Sequence, residues 1–117
     1  MTNNLTVINK LILTLEEFRK LDAEMPVQTA LTFLLVAKYQ TKRDGFSVKD
    51  VATMLGVSTA AASRNVSKLT EHGVKSVGGH GLVTTAEDPL FRVRKLINLT
   101  PKGERVMRSL EELINER

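Results

Sequence analysis

The chain contains no cysteine. That excludes a disulfide framework, a thiol redox switch and a thiolate metal site. It also has no long hydrophobic run. The longest apolar stretch, Phe33 to Ala37, is far too short to span a bilayer. The opening residues, MTNNLTVINK, lack the basic start and apolar segment of a signal peptide, so a cytoplasmic protein with no membrane partner is expected. His72 and His80 are the only histidines. A metal site needs three or four convergent ligands, so no metal is expected and both read as surface turn residues. The cluster Gly78-Gly79-His80-Gly81 is not followed by a helix carrying a Lys-Ser/Thr pair, so it reads as a turn and not as a phosphate loop. Ser63 has no candidate base in an obvious order, and Glu16-Glu17 and Glu111-Glu112 read as solvated helix faces. No catalytic residue, no cofactor and no enzymatic activity are expected.

What is present is an ordinary globular composition, 42% hydrophobic and 26% charged over 117 residues, enough for one domain with one core. There is no internal repeat and no low-complexity segment. The net charge of +4 is unevenly spread. Residues 1–40 carry four basic and four acidic groups, and residues 104–117 carry three and four. Residues 41–103 carry ten basic and five acidic groups, so the positive field sits on the middle of the chain.

That middle contains the most informative segment, Ser47 to Leu69. Ser47 is a good N-cap with Asp50 three residues on, and Val48, Val51, Ala52 and Leu55 follow at helical spacing. Gly56 can take the left-handed torsions that stop a helix. Val57 can fill the angle after it, and Ser58 caps a second helix. On that helix Ala62, Val66 and Leu69 fall within roughly 60° of one another at 3.6 residues per turn. Arg64 points almost opposite, flanked by Ala60, Ser67 and Lys68, with Ala61 and Ser63 at the edges. One bidentate donor among small hydroxyls and methyls suits a major groove, where arginine pairs with guanine and small side chains let the backbone approach phosphates. The same pattern also describes a solvated face of an ordinary helical protein.

Around this segment, Leu5 to Leu21 reads as an amphipathic helix with Asn3 or Asn4 as its cap. Its stripe is Leu5, Ile8, Leu11, Ile12, Leu15, Phe18 and Leu21, with Val7 and Leu13 off the stripe. Met25-Pro26 breaks the chain, with proline expected at the first position of a nearly all-apolar central helix from Val27 to about Gln40. Lys42 to Gly45 is a turn, and Phe46 is expected to make a short strand contact. Gly73 is expected to end the second helix of the pair. Val74–Val77 and Leu82–Thr85 read as strands joined by the glycine turn, and Ala86–Pro89 as a second turn. Phe91–Leu99 is β-rich, which puts Arg92 and Arg94 on one side of a strand. Thr100-Pro101 opens a last helix with Val106, Leu110 and Leu113 on its apolar face, Met107 and Ile114 beside them.

This order, ending in Leu99-Thr100-Pro101-Lys102-Gly103, is that of a winged helix, and it resembles the MarR family of bacterial transcription regulators over roughly residues 21–107. Gly81-Leu82-Val83 is similar to the family's "GLV" at the first wing strand. Glu87-Asp88-Pro89 is similar to its acidic wing tip, and Arg92 sits near its wing arginine. Leu96 to Gly103 is similar to its "LVSLTPKG". The Met25-Pro26 break also matches. Three departures stand out: an insertion of about eight residues, Val74 to Gly81; a wing altered by Leu90 and Phe91; and one short helix in place of a C-terminal pair. The resemblance implies binding of double-stranded DNA, a homodimer and a small-molecule effector whose lining residues the sequence does not identify.

The expected fold class is α+β, a winged helix-turn-helix, mostly helical with a small antiparallel β wing. Residues 1–22 and 100–117 would serve dimerisation, 47–69 form the helix-turn-helix, and 74–99 hold the insertion and wing. The expected function is sequence-specific duplex binding by a transcription regulator. Its DNA-binding residues would be Ser58, Thr59, Ala60, Ser63, Arg64, Ser67, Lys68, Lys75, Arg92 and Arg94. Two other readings stay open: a winged helix that binds another protein, and a DNA-binding factor of replication or of phage or plasmid maintenance.

Overall fold

The computed structural model describes residues 4–74 and 78–116. Its elements run α1 (Asn4–Leu21), α2 (Val27–Tyr39), α3 (Val48–Leu55), α4 (Thr59–Leu69), β1 (Val83–Glu87), β2 (Lys95–Leu99) and α5 (Pro101–Asn115). No helix among the described residues is long and apolar enough to cross a membrane.

The core forms where α2, α3 and α4 meet the hairpin. Phe33, Val36, Phe46, Val51, Leu69, Leu82, Val83 and Ile97 are its most enclosed side chains. Phe18 reaches it from the end of α1 and meets Phe33 edge to face, with ring centroids 6.0 Å apart. Pro26 stands at the N-cap of α2, one position earlier than expected, and its extended backbone (φ −63°, ψ 145°) leads into Val27. The Ser47 hydroxyl accepts from the Asp50 N–H while the Asp50 carboxylate accepts from the Ser47 N–H, a capping box that fixes the start of α3. Gly56 takes φ 68° and turns the chain into α4, which Ser58 caps through the Ala61 N–H.

The hairpin pairs β1 with β2 antiparallel, Val83 opposite Leu99 and Glu87 opposite Lys95. The contact expected at Phe46 is present: the Ile97 N–H donates to the Phe46 carbonyl, and Ser47 bridges Leu96.

The segment after α4 departs from the sequence expectation. The helix ends at Leu69, not at Gly73, because Thr70 turns extended (φ −78°, ψ 166°) and its hydroxyl donates to the Ser67 carbonyl. The chain then folds back over the helix end. The N–H groups of Gly79, His80 and Leu82 donate to the carbonyls of Glu71, Lys68 and Leu69. Carbonyls at a helix C-terminus lack intrahelical partners, so the returning segment completes α4 instead of forming a strand. Val74 accordingly lies outside any strand, while residues 75–77 lie outside the described residues. A Cβ on Gly79 would lie 1.9 Å from the Thr70 carbonyl oxygen, so only glycine fits this approach.

The second turn also shifts. Ala86 and Glu87 belong to β1, and the turn starts at Asp88. Residues 92 and 93 lie in a turn, so Arg92 and Arg94 do not share a strand face. The cause is a local closure: the Arg94 N–H donates to the Phe91 carbonyl and the Asp88 N–H to the Arg94 carbonyl.

Thr100 caps α5 through the Gly103 N–H, with Pro101 at its first position as expected. Gly103 is buried against the Leu82 carbonyl, which a Cβ would approach to 2.2 Å. Leu82 thus donates to Leu69 and accepts from the Thr100 N–H at 3.0 Å. Helix α1 lies along α5, where the Lys10 ammonium donates to the Ile114 carbonyl. Apart from its last turn, where Phe18 is buried and Leu21 packs on the core, α1 leaves apolar side chains in the open: Leu5, Leu11 and Leu15 are 70%, 56% and 60% exposed.

Candidate nucleic-acid interface

Helix α4 has two unlike faces. Ala62, Val66 and Leu69 are buried, as their spacing predicts. Ser58, Thr59, Ala60, Ser63 and Arg64 are exposed, and Ser67 and Lys68 are half-buried at the flank. Arg64 therefore stands on the outer face with small side chains around it. An outer face of this kind can enter a groove without steric obstruction by its own neighbours. Lys75 lies outside the described residues.

Sequence reasoning missed Asn65. It is buried at 6% exposure, its carbonyl Oδ1 accepts from the Thr29 hydroxyl at 2.9 Å, and its amide donates to Gln28 at 3.2 Å. These bonds tie the outward helix to the start of α2. The signal was available: on the wheel Asn65 falls roughly 40° beyond Leu69, at the border of the buried stripe, where a polar side chain needs a partner.

The wing is fixed at its base by Arg94. The guanidinium donates to the Asp88 carboxylate at 2.9 Å and to the backbone carbonyls of Asp44 and Gly45, and lies 3.5 Å from the Asp50 carboxylate. Arg94 was expected to grip DNA, but its donors are committed to the protein. The Leu90 N–H and then the Arg94 hydrogen bond hold the Asp88 carboxyl below its ordinary value. The Asp88 hydrogen bond pushes Arg94 up in turn. Burial alone would raise Asp50, but hydrogen bonds from the Ser47 N–H and hydroxyl, with Lys42 and Arg94 nearby, bring it below its ordinary value. Asp50 and Asp88 are thus both paired with cations at the wing base. Arg92, by contrast, is exposed and free of these bonds.

Two troughs separate α4 from the wing. One, of about 520 Å³, runs past Thr59 and Ser63 of α4 and Phe91, Val93 and Lys95 of the wing, with Lys49 on its wall. The other, of about 750 Å³, runs between Ser63 and Ser67 of α4 and Thr84 and Thr85 of β1, with Lys95 and Lys102 among its lining. His80 lines the second trough and places its Nε2 3.7 Å from the Asp22 carboxylate. Hydroxyls and ammonium groups on facing walls are the side chains that bind phosphate oxygens.

No family model matches the chain, and no curated protein does. Solved structures do share its fold. The S. aureus MepR–DNA complex superposes with a TM-score of 0.69 at 20% identity, covering 94% of this chain and 77% of that one. The heme sensor protein PefR from Streptococcus agalactiae, in complex with heme, gives 0.62 at 20% identity, covering 99% and 76%. A MarR-family transcriptional regulator from Rhodococcus sp. RHA1 gives 0.59 at 22% identity, covering 88% and 66%. The chain therefore has the winged helix-turn-helix fold of the MarR-family regulators, with five helices and a two-stranded antiparallel wing among its described residues.

Proposed function

We propose that this protein is a MarR-type transcription regulator that binds double-stranded DNA. The observation that carries the reading is the outer face of α4. Arg64 stands exposed there among Ser58, Thr59, Ala60 and Ser63, on a helix whose other face is locked into the core. Helix α4 enters the major groove and Arg64 reads a base edge. Ser58, Thr59, Ser67 and Lys68 set the helix on phosphates, as small hydroxyls and an ammonium can. Lys75 belongs to the same set through the basic balance of the central segment. Arg92 carries the charge of the wing to the backbone or minor groove. Arg94 holds the wing in place and does not touch DNA. The MepR structure is itself a DNA complex, which supports the DNA-binding reading.

The active form in this reading is a homodimer built on residues 1–22 and 100–117. Leu5, Leu11 and Leu15 leave apolar surface exposed along α1, and a twofold partner would cover it. A small-molecule effector belongs to the same reading; PefR was solved with heme and CouR from Rhodococcus jostii RHA1 with p-coumaroyl-CoA.

Selection of bound duplexes from a random pool tests this function. A recovered motif with two half-sites, bound with a log affinity that falls by roughly 0.9 per phosphate contact against log salt, is the expected result. No enrichment and no duplex shift at low salt would favour the protein-binding alternative.

A further inference from the structure

The wing ends in an apolar tip that neither the core nor the proposed phosphate contacts use. Leu90 is 84% exposed, Phe91 64% and Val93 99%. Three large apolar side chains within four residues are costly in water, and here they do not lie on a loose loop. The Asp88 carboxylate accepts from the Leu90 N–H, and the Phe91 carbonyl accepts from the Arg94 N–H. Arg94 then anchors the whole turn to Asp88, Asp44 and Gly45. The tip is presented on a rigid base.

Its position names the occupant. The trough between α4 and the tip carries Lys49, Lys95, Thr59 and Ser63 beside its apolar residues, and its one carboxylate, Asp50, lies 3.5 Å from the Arg94 guanidinium. With α4 in the major groove, as proposed above, this trough is the space open to the strand that divides the two grooves. The tip then reaches the minor groove on the far side of that strand. Arg92, exposed between Phe91 and Val93, supplies the positive charge that a minor groove attracts.

We propose that Leu90, Phe91 and Val93 form an apolar wedge that enters the minor groove, partly unstacks a base step and bends the duplex. Apolar wedges of this chemistry kink DNA by roughly 20–90° towards the major groove. The inference rests on the DNA-binding reading above. It adds a deformation step, so the protein favours flexible pyrimidine–purine steps at a position it does not read by hydrogen bonds.

The test uses the full chain on a duplex of the sequence recovered by selection, labelled with a fluorescent donor and acceptor at its two ends. Energy transfer should rise on binding. The triple variant Leu90→Ser, Phe91→Ser, Val93→Ser should still shift the duplex but leave energy transfer near that of free DNA. The conservative variant Phe91→Leu, Val93→Ile should restore the bend. A bound duplex that stays straight with the unmutated chain overturns the wedge while leaving DNA binding intact. So does a triple variant that bends the duplex fully. No shift of any duplex overturns the DNA-binding reading and the wedge with it. A triple variant that loses self-association in light scattering without DNA assigns the tip to a second copy and overturns the wedge.

Discussion

Replacing Asn65 with alanine tests how the outward helix is seated. Thr29 is fully buried, and its hydroxyl donates to Asn65 Oδ1. Removing that acceptor leaves a buried hydroxyl without a partner, which costs about 1–3 kcal/mol. Gln28 is exposed, so its amide regains water and adds little. Asn65→Ala should therefore lower the unfolding free energy by about 1–3 kcal/mol. Thr29→Val removes the stranded donor, because valine matches threonine in shape. The double variant Thr29→Val, Asn65→Ala should then cost less than the two single changes added together, by at least about 0.5 kcal/mol. Urea unfolding of all four proteins at one protomer concentration measures this, since assembly alone shifts apparent stability. Single changes that add to within about 0.3–0.5 kcal/mol refute the coupling between α2 and α4.

Other substitutions follow from the same geometry. Arg64→Ala should weaken specific DNA binding by about 1–3 kcal/mol and relax the preference at one base pair per half-site, read by repeating the selection. Leu11→Glu with Leu15→Glu should convert a dimer into a folded monomer at micromolar concentration, read by light scattering and circular dichroism. Gly79→Ala should destabilise the fold by about 1–3 kcal/mol in urea, because its Cβ collides with backbone carbonyls and the neighbours must move. Asp88 is held below its ordinary value, so its contribution is complete above the ordinary carboxylate range, about pH 4, and is lost as the pH falls further. The urea midpoint of Asp88→Asn should accordingly fall less steeply with acid than that of the unmutated protein.

The caps and breaks were legible in the sequence because each is a local event. Ser47 with Asp50, Gly56, Ser58, and Thr100 with Pro101 satisfy backbone groups within a few residues, and all four sites form as read. The end of α4 was not legible, because its carbonyls are completed by residues ten or more positions later, and no local pattern at Gly73 reports that. The wing was misread for a related reason. The β-rich composition from Phe91 to Leu99 suggested one strand, but the Arg94–Asp88 pair closes the first residues into a turn. The same pairing removed Arg94 from the set of free cations, a fact that depends on carbonyls of residues 44 and 45. The solvent-facing side of α4 was legible from the wheel alone, since a buried stripe of three residues fixes the opposite direction.

Leu82 makes the fold a linkage. Its N–H holds the end of α4, its carbonyl holds the start of α5, and its chain runs straight into β1. Close-packed joints of this kind pass displacement on and do not absorb it. A tilt of α5 is therefore passed to α4 and to the wing together, through Leu82 and the Thr100 hydroxyl on the neighbouring Gly81 carbonyl. A twofold axis would rotate each linkage onto its partner. In the proposed dimer the spacing between the two α4 helices would then be set at α5, away from their exposed faces.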